Sequence, residues 1–155
     1  MEPTDTSDAR GPLIMDVDRN GLEVLDRSEC LRLLSSATLG RVAITWGALP
    51  AVLPVSFRLD GERILVRARR GSRLDRALRD AVVAFEVDEV DLAAHTGWSV
   101  AVTGRATVSD PTEIDDARDR PFDRWTSVAD ASLVAISTEV LTGRRITPGS
   151  KPTRG

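Results

Sequence analysis

The sequence is poor in the side chains that form disulfides, zinc sites and most catalytic dyads. It contains one cysteine, Cys30, one histidine, His95, and no tyrosine. A single cysteine excludes a disulfide within the chain, favours a reducing compartment and, with a single histidine, argues against a zinc site of Cys and His ligands. The motifs G-x-S-x-G, H-E-x-x-H and the P-loop are also absent. If the protein is an enzyme, its chemistry is expected to come from a bound cofactor.

Long apolar segments are missing as well. No apolar run approaches the roughly 20 residues that cross a bilayer, and the opening segment, MEPTDTSDARGPLIMDVD, lacks the positive-then-apolar order of a secretory signal. We therefore expect a cytoplasmic protein with no membrane partner. The 155 residues, 41% of them hydrophobic and 29% charged, suit one soluble domain. We assign residues 21–147 to that domain and residues 1–20 and 148–155 to disordered tails.

The net charge of −3 conceals a strongly basic segment. Residues 63–79 contain seven arginines and one aspartate, a net charge of +6, so the rest of the chain is strongly acidic. Nucleic-acid binding through this segment is the weakest interpretation, because no aromatic residue interrupts the basic run. The number of arginines says little by itself, but their clustering in one segment is more informative.

Periodicity predicts a mainly β domain with short helices. The expected helix starts are Asp26, paired with Glu29, and Ser72, paired with Asp75, each spaced as a capping box. Predicted helices cover residues 26–36, 72–80 and 112–118. Predicted strands cover residues 41–46, 49–59, 62–68, 81–87, 97–109 and a bent segment within 131–146. Because this order lacks βαβ alternation, we expect a six-stranded antiparallel Greek-key split β-barrel.

The ordered motifs resemble one family. A leading helix, L-x-x-x-E-C-L-x-L-L, precedes G-R-V-A-I-T, P-A-V-L-P-V-S-F-x-L-D-G and I-L-V-R-A-R-R-G-S-R-L-D-R-A-L; then come V-A-F-E-V-D, T-G-W-S-V-A-V-T-G-R-A and T-G-R-R-I. This set resembles the pyridoxamine 5′-phosphate oxidase-like FMN-binding split-barrel family. The resemblance implies a homodimer, with FMN or the deazaflavin F420 held in two clefts at the dimer interface.

The segment from Arg67 to Arg73 carries the predicted phosphate site. A phosphate is recognised by arginine forks, a hydroxyl and free backbone N–H groups, and this segment offers arginines, a glycine and Ser72 before a helix. By resemblance, Arg67, Ser72 and Arg73 are the phosphate ligands. Ala68 stands where the family often has threonine, and Arg73 stands in place of the common lysine, which keeps the charge and adds bidentate geometry. A solvated helix face is the alternative for the arginines, and we assign Arg76 to it, together with Arg63 and Arg79.

The resemblance also implies a site for the flavin ring. It places the ring edge along Pro54, Val55 and Ser56, and Trp98 at the dimer cleft. The alternatives are an edge-strand proline for Pro54 and ordinary core packing for Trp98.

The remaining side chains that could take part in chemistry are predicted to lie in the core or on the surface, apart from two tryptophans. We expect Cys30 in the core and His95 exposed in a loop, and Glu86 with Asp88 on a solvated strand face. Trp46 and Trp125 could each cap a substrate pocket. No catalytic residue can be assigned from the sequence.

The leading functional hypothesis is an FMN-dependent oxidoreductase that acts on a small molecule. An F420-dependent reductase is its rival, since a longer acidic tail could contact Arg69, Arg70 and Arg76. A non-catalytic flavin- or haem-binding protein is the second hypothesis, with His95 as the one histidine able to bind haem iron.

Overall fold

The computed structural model describes residues 17–110 and 130–148, which form antiparallel strands and two short helices. The structure has more strands than the six predicted from the sequence. In chain order the elements are β1 (Glu23–Leu25), α1 (Arg27–Ser36), β2 (Leu39–Trp46), β3 (Leu49–Asp60), β4 (Arg63–Arg69), α2 (Arg73–Ala77), β5 (Ala81–Asp91), β6 (Thr96–Val108), β7 (Ala131–Ile136) and β8 (Val140–Ile146). The predicted helix at residues 112–118 and Trp125 lie outside the described residues.

Strand β6 decides the topology of the sheet. The strand order is β1-β8-β6-β5-β2-β3-β4-β7, and β6 pairs additionally with β7. The first half of β6 pairs with β8 and its last residues pair with β7. Six strands are thereby linked in a ring of pairings, while β8 and β1 extend from the side of β6. The predicted mainly β, split-barrel class is confirmed.

The predicted sixth strand is two strands in the structure. Strand β7 pairs with β4 and with the end of β6, whereas β8 pairs with the beginning of β6 and with β1. The break lies between them, where the Ser137 amide donates to the Arg105 carbonyl and the buried Thr138 hydroxyl donates to the Glu62 carbonyl at 2.7 Å. The pairing of β7 with β6 is short and covers only Ala106 to Val108 of β6.

The core follows the alternation that the strands predict. Inward positions of β2, β3, β5 and β6 are buried, and Phe57 meets Phe85 edge to face at 4.9 Å between ring centroids. Leu34 of α1 and Leu78, which follows α2, are fully buried in the same cluster. The helices therefore pack their apolar sides against the barrel, as amphipathic helices do.

Both predicted N-caps are confirmed, but neither helix has the reciprocal half of a capping box. Asp26 accepts from the Glu29 amide at 2.8 Å, and Ser72 accepts from the Asp75 amide at 3.1 Å. The Glu29 carboxylate instead binds Arg32 and Arg145. The Asp75 carboxylate binds the Gly71 amide and Arg79 instead, and the Ser72 amide donates to the Arg69 carbonyl at 2.9 Å.

Helix α2 also ends earlier than predicted. It stops at Ala77 rather than at residue 80, because Leu78 already departs from helical geometry, with φ −90° and ψ 1°, and Asp80 then adopts a positive φ of 49°. Strand β5 begins at Ala81, directly after Asp80.

The first residues that the structure describes are folded against the domain. Residues 17–20, which the sequence assigns to a tail, form a turn in which Asp18 binds Arg144 at 3.0 Å. No helix in the described residues is both long and apolar enough to cross a membrane.

Candidate functional site

The candidate site lies where strands β3 and β4 diverge. Their pairing ends at Phe57 with Val66. Beyond that point β3 continues against β2, and β4 continues against β7. Ser56 and Arg67 therefore flank the point of divergence, one on each strand. The fold brings together two segments that the sequence could relate only through the family resemblance.

The β3 side of the divergence carries the predicted ring-binding residues. Pro54 is exposed and stands opposite Arg41 of β2, and Ser56 is half-buried opposite Leu39. Val55 faces the other way, into the core. Since proline has no N–H to donate, the backbone at Pro54 offers a ligand only its carbonyl.

The β4 side carries the predicted phosphate-binding arginine. Arg67 is exposed, whereas Ala68 is 1% exposed and belongs to the hydrophobic core. Ala68 is therefore buried as a whole residue, backbone included, and offers almost no surface to a ligand.

A buried carboxylate shapes the loop between β4 and α2. Asp75 is fully buried, and its Oδ2 accepts from the Gly71 amide at 2.8 Å and from Arg79 at 3.0 Å. Gly71 has φ +77°, a conformation that favours glycine. Asp75 thereby fixes the loop, and it also occupies one of the backbone amides that the sequence offered to a phosphate.

The pKa of Asp75 reflects the opposing effects of its burial and of its hydrogen bonds. Burial is the largest influence and opposes ionisation, but the hydrogen bonds from the Gly71 amide and from Arg79 outweigh it and hold the pKa of Asp75 below its usual range. The Ser132 hydroxyl is a neighbour rather than a hydrogen-bonded partner, because neither Ser132 Oγ nor Asp75 Oδ1 has one in the described residues. We therefore attribute the ionised state of Asp75 to Gly71 and Arg79.

Ser72 and Arg73 stand at the start of α2. The Ser72 hydroxyl accepts from the Asp75 amide, which leaves its proton to donate to an anion. The Arg73 guanidinium lies over the Trp46 ring, with 5.9 Å between Cζ and the ring centroid. Within the described ranges no carboxylate forms an ion pair with Arg73.

The other arginines of the basic segment fall into two groups. Those with a carboxylate partner are Arg63, Arg70 and Arg79, whose partners are Asp60, Asp130 and Asp75. Among the residues that the structure describes, Arg69 and Arg76 share with Arg73 the lack of such a partner. The sequence predicts a surface role for Arg79. In the structure Arg79 is exposed, but its guanidinium also neutralises the buried Asp75 carboxylate.

Trp98 lies on the inward side of its strand, unlike Pro54. It continues the inward alternation of Val100 and Val102 on β6 and packs, half-buried, against the core. Pro54 points outward on its strand. The role of Trp98 at a cleft stays a prediction that involves a second chain.

The remaining titratable groups lie elsewhere. His95 is exposed in the turn between β5 and β6. Arg41 bridges Glu86 at 3.2 Å and Asp88 at 3.3 Å, and burial, with the charge of Asp88, raises the pKa of Glu86. Cys30 is buried, which raises the pKa of its thiol. No group of three or more metal-ligating side chains occurs in the described part of the chain.

Sequence reasoning missed the buried role of Asp75 and the contact between Trp46 and Arg73. The spacing of Asp75 and Arg79, four residues apart on a helix, is a signal for an ion pair, although it does not show burial. No local pattern links Trp46 to Arg73, because α2 reaches β2 only in the folded chain.

Comparison with known proteins identifies the family. The family profile described as Pyridoxamine 5′-phosphate oxidase matches residues 26–145. The uncharacterized protein Rv0080 of Mycobacterium tuberculosis is 42% identical over 134 residues, which are 82% of this chain and 87% of that protein.

Two solved structures share the fold. A candidate pyridoxamine 5′-phosphate oxidase from Corynebacterium glutamicum has a TM-score of 0.69 and 30% identity, and the match covers 86% of this chain and 99% of that one. The FAD binding protein from Mycobacterium smegmatis has a TM-score of 0.63 and 27% identity, with coverage of 81% and 99%. The chain belongs to the pyridoxamine 5′-phosphate oxidase family.

Proposed function

We propose that this protein binds a flavin at the divergence of β3 and β4 and acts as a flavin-dependent oxidoreductase on a small molecule. The observation that carries the proposal is that β3 and β4 part after the pair of Phe57 with Val66, and that β4 leads from Arg67 directly into the loop and helix that carry Ser72 and Arg73. Membership of the family and similarity to an FAD binding protein support the choice of a flavin.

The residues present fit the chemistry of such a cofactor. Its phosphate is an anion, and Arg73 has a guanidinium with no carboxylate partner in the described residues. Ser72 retains a hydroxyl proton, and Arg67 presents an exposed positive charge. Arg67, Ser72 and Arg73 would hold the phosphate, and Pro54 and Ser56, on the outward side of β3, would border the ring, whereas the Val55 side chain belongs to the core. When bound, a flavin supplies transfer of a hydride or of single electrons, and the protein supplies binding and orientation.

FMN is our first choice of cofactor, because the candidate anion site is short and local. FAD is a specific second candidate, since Arg69 and Arg76 also lack carboxylate partners in the described residues and could contact a second phosphate. The acidic tail of F420 would use the same two arginines. Arg70 is less suited than the sequence suggested, because it already pairs with Asp130 at 3.1 Å.

We further propose that the functional unit is a homodimer. One row of side chains crosses five strands on the outer face without a single charge, and its outermost members, Val52 and Val140, are 64% and 56% exposed. By register the row contains Val52, Ala43, Ala84, Thr103 and Val140. Pro54 lies on the same face, two residues from Val52, so a second copy covering this row would reach the ring-binding edge.

A spectrum of the purified protein is the first test. We expect the two visible absorption bands of a flavin, and the mass of the released chromophore distinguishes FMN, FAD and F420. A strong Soret band that disappears in H95A would support the haem hypothesis instead. A colourless protein that binds neither FMN, FAD nor F420 would refute the proposal.

The phosphate site has its own test. We expect R73A to weaken FMN binding about 10- to 100-fold, because a hydrogen bond to a charged group contributes about 1.5–3 kcal/mol. R63A is the matched control, since it removes an arginine from the same basic segment whose guanidinium already pairs with Asp60 at 2.7 Å. Equal FMN affinity in R73A and R63A, measured by fluorescence titration, would contradict the assignment.

A further inference from the structure

The contact between Trp46 and Arg73 joins two parts of the chain that are distant in sequence. Trp46 ends β2, is half-buried and packs against the core. Arg73 is exposed and opens α2. The guanidinium carbon lies 5.9 Å from the Trp46 ring centroid, within the range of a cation–π contact.

Trp46 is held by the tight turn that follows it. It pairs with Leu49, and the two intervening residues, Gly47 and Ala48, both have positive φ, at 54° and 64°. Positive φ at both central residues is the signature of a two-residue hairpin whose twist matches its strands. The indole is therefore fixed by strand pairing, by the turn and by core contacts, whereas the Arg73 side chain is long and exposed.

We propose that Trp46 is a positioning residue that holds the Arg73 guanidinium for the phosphate of the flavin. The inference rests on the proposed function. A planar guanidinium stacks on an aromatic face and keeps its N–H groups at the edge free for a phosphate. The contact with Trp46 takes the place of the carboxylate partner that Arg73 lacks among the described residues, and it orders the side chain without neutralising its charge. A carboxylate partner would compete with the phosphate, whereas an indole does not.

The test compares FMN with riboflavin, which has the same ring and no phosphate. The full chain, freed of any copurified chromophore, is titrated with each ligand by fluorescence. We expect W46L to weaken FMN binding about two- to five-fold, the value of an exposed cation–π contact, and to leave riboflavin binding unchanged. W46F, which retains an aromatic face, should bind FMN more tightly than W46L.

A double-mutant cycle shows whether Trp46 acts through Arg73. We expect W46L to have no effect on FMN affinity in the R73A background, because the side chain to be positioned is gone. An equal loss of FMN and riboflavin affinity in W46L would mean that Trp46 contacts the ring, and it would overturn the proposal. Unchanged FMN affinity in W46L would overturn it too.

Two further comparisons keep the outcomes separate. If W46L does not fold, the R73K variant is tested in its place. Lysine keeps the charge and loses the planar stack, so R73K should weaken FMN binding and leave riboflavin binding unchanged, and wild-type FMN affinity in R73K would overturn the proposal. If R73A itself binds FMN as wild type does, the assigned phosphate site fails, whereas a weakened R73A with unaffected W46L contradicts only the role of Trp46.

Discussion

At the scale of single residues, Glu29 shows how one carboxylate can serve two elements. It accepts hydrogen bonds from Arg32 in its own helix and from Arg145 on β8. These two arginines lower the pKa of Glu29 from 4.5 to about 2. A carboxylate whose pKa is lower in the folded state stabilises the fold above its unfolded pKa and loses that effect as the pH falls toward the folded pKa.

We expect E29Q to remove this pH-dependent stabilisation. The difference in free energy of unfolding between wild type and E29Q should be constant above about pH 5 and should shrink as the pH falls from about 4.5 toward 2. Urea denaturation at a series of pH values measures it. E89Q is the control, because Glu89 is exposed and has no ion pair in the described ranges. A wild-type-to-E29Q difference that stays the same from pH 5 to pH 2.5 would contradict the assignment.

At the scale of elements, the residues that follow β7 pass close to the backbone of β6, and this close approach requires a glycine in β6. A Cβ built on Gly104 would lie 1.8 Å from the Ser137 carbonyl oxygen, a backbone atom that cannot rotate away. The Ser137 amide also donates to Arg105 at 3.0 Å, so the two segments are tied at the point of contact. Close approach of these backbones joins β7 to the end of β6.

We expect G104A to destabilise the fold by about 3 kcal/mol or more, since overpacking in a core typically costs about 1–3 kcal/mol and here the obstacle is backbone. The matched control is G61A in the β3–β4 turn, where a Cβ meets no atom within 4 Å and the only strain is a φ of +60°. That conformation costs an alanine roughly 1–2 kcal/mol. Thermal and urea unfolding would contradict the account if G104A were no less stable than G61A.

At the scale of the whole molecule, the uncharged outer row of β3, β2, β5, β6 and β8 bears on assembly. Stable dimers bury roughly 1,200–2,000 Å² in total, and a face that spans five adjacent strands offers a surface of suitable breadth. Val52 and Val140 lie at its two ends. A second copy would bring the two proposed ring-binding edges into the interface.

We expect the V52D/V140D double variant to be a monomer where wild type is a dimer, because two carboxylates buried without partners oppose association. Light scattering after gel filtration measures the mass. L92D is the control, since Leu92 is 80% exposed but lies in the turn between β5 and β6. A double variant that remains dimeric, or a wild type that is monomeric, would contradict the proposed face.

Local chemistry made much of this protein predictable. Asp26 and Ser72 cap helices as their sequence context indicates, because an N-cap depends only on atoms a few residues away. Alternating apolar residues predicted the β class and most strand positions. The sequence indicated only a bend within residues 131–146. The polar residues 137–139 interrupt the apolar pattern there, but they do not show that the segment before them pairs with β4 and the segment after them with β1.

The candidate site, like the fold, was predictable from the sequence only in part. The sequence by itself determined the basic segment, the position of Ser72 before a helix and the proline of β3, because each is a local pattern of residue types. Only the tertiary structure decided that Ser56 and Arg67 flank one opening, that Asp75 is a buried anchor and that Trp46 lies beneath Arg73. These relations depend on strand register and on the packing of α2 against the barrel, which are non-local and leave no periodic signal in the chain.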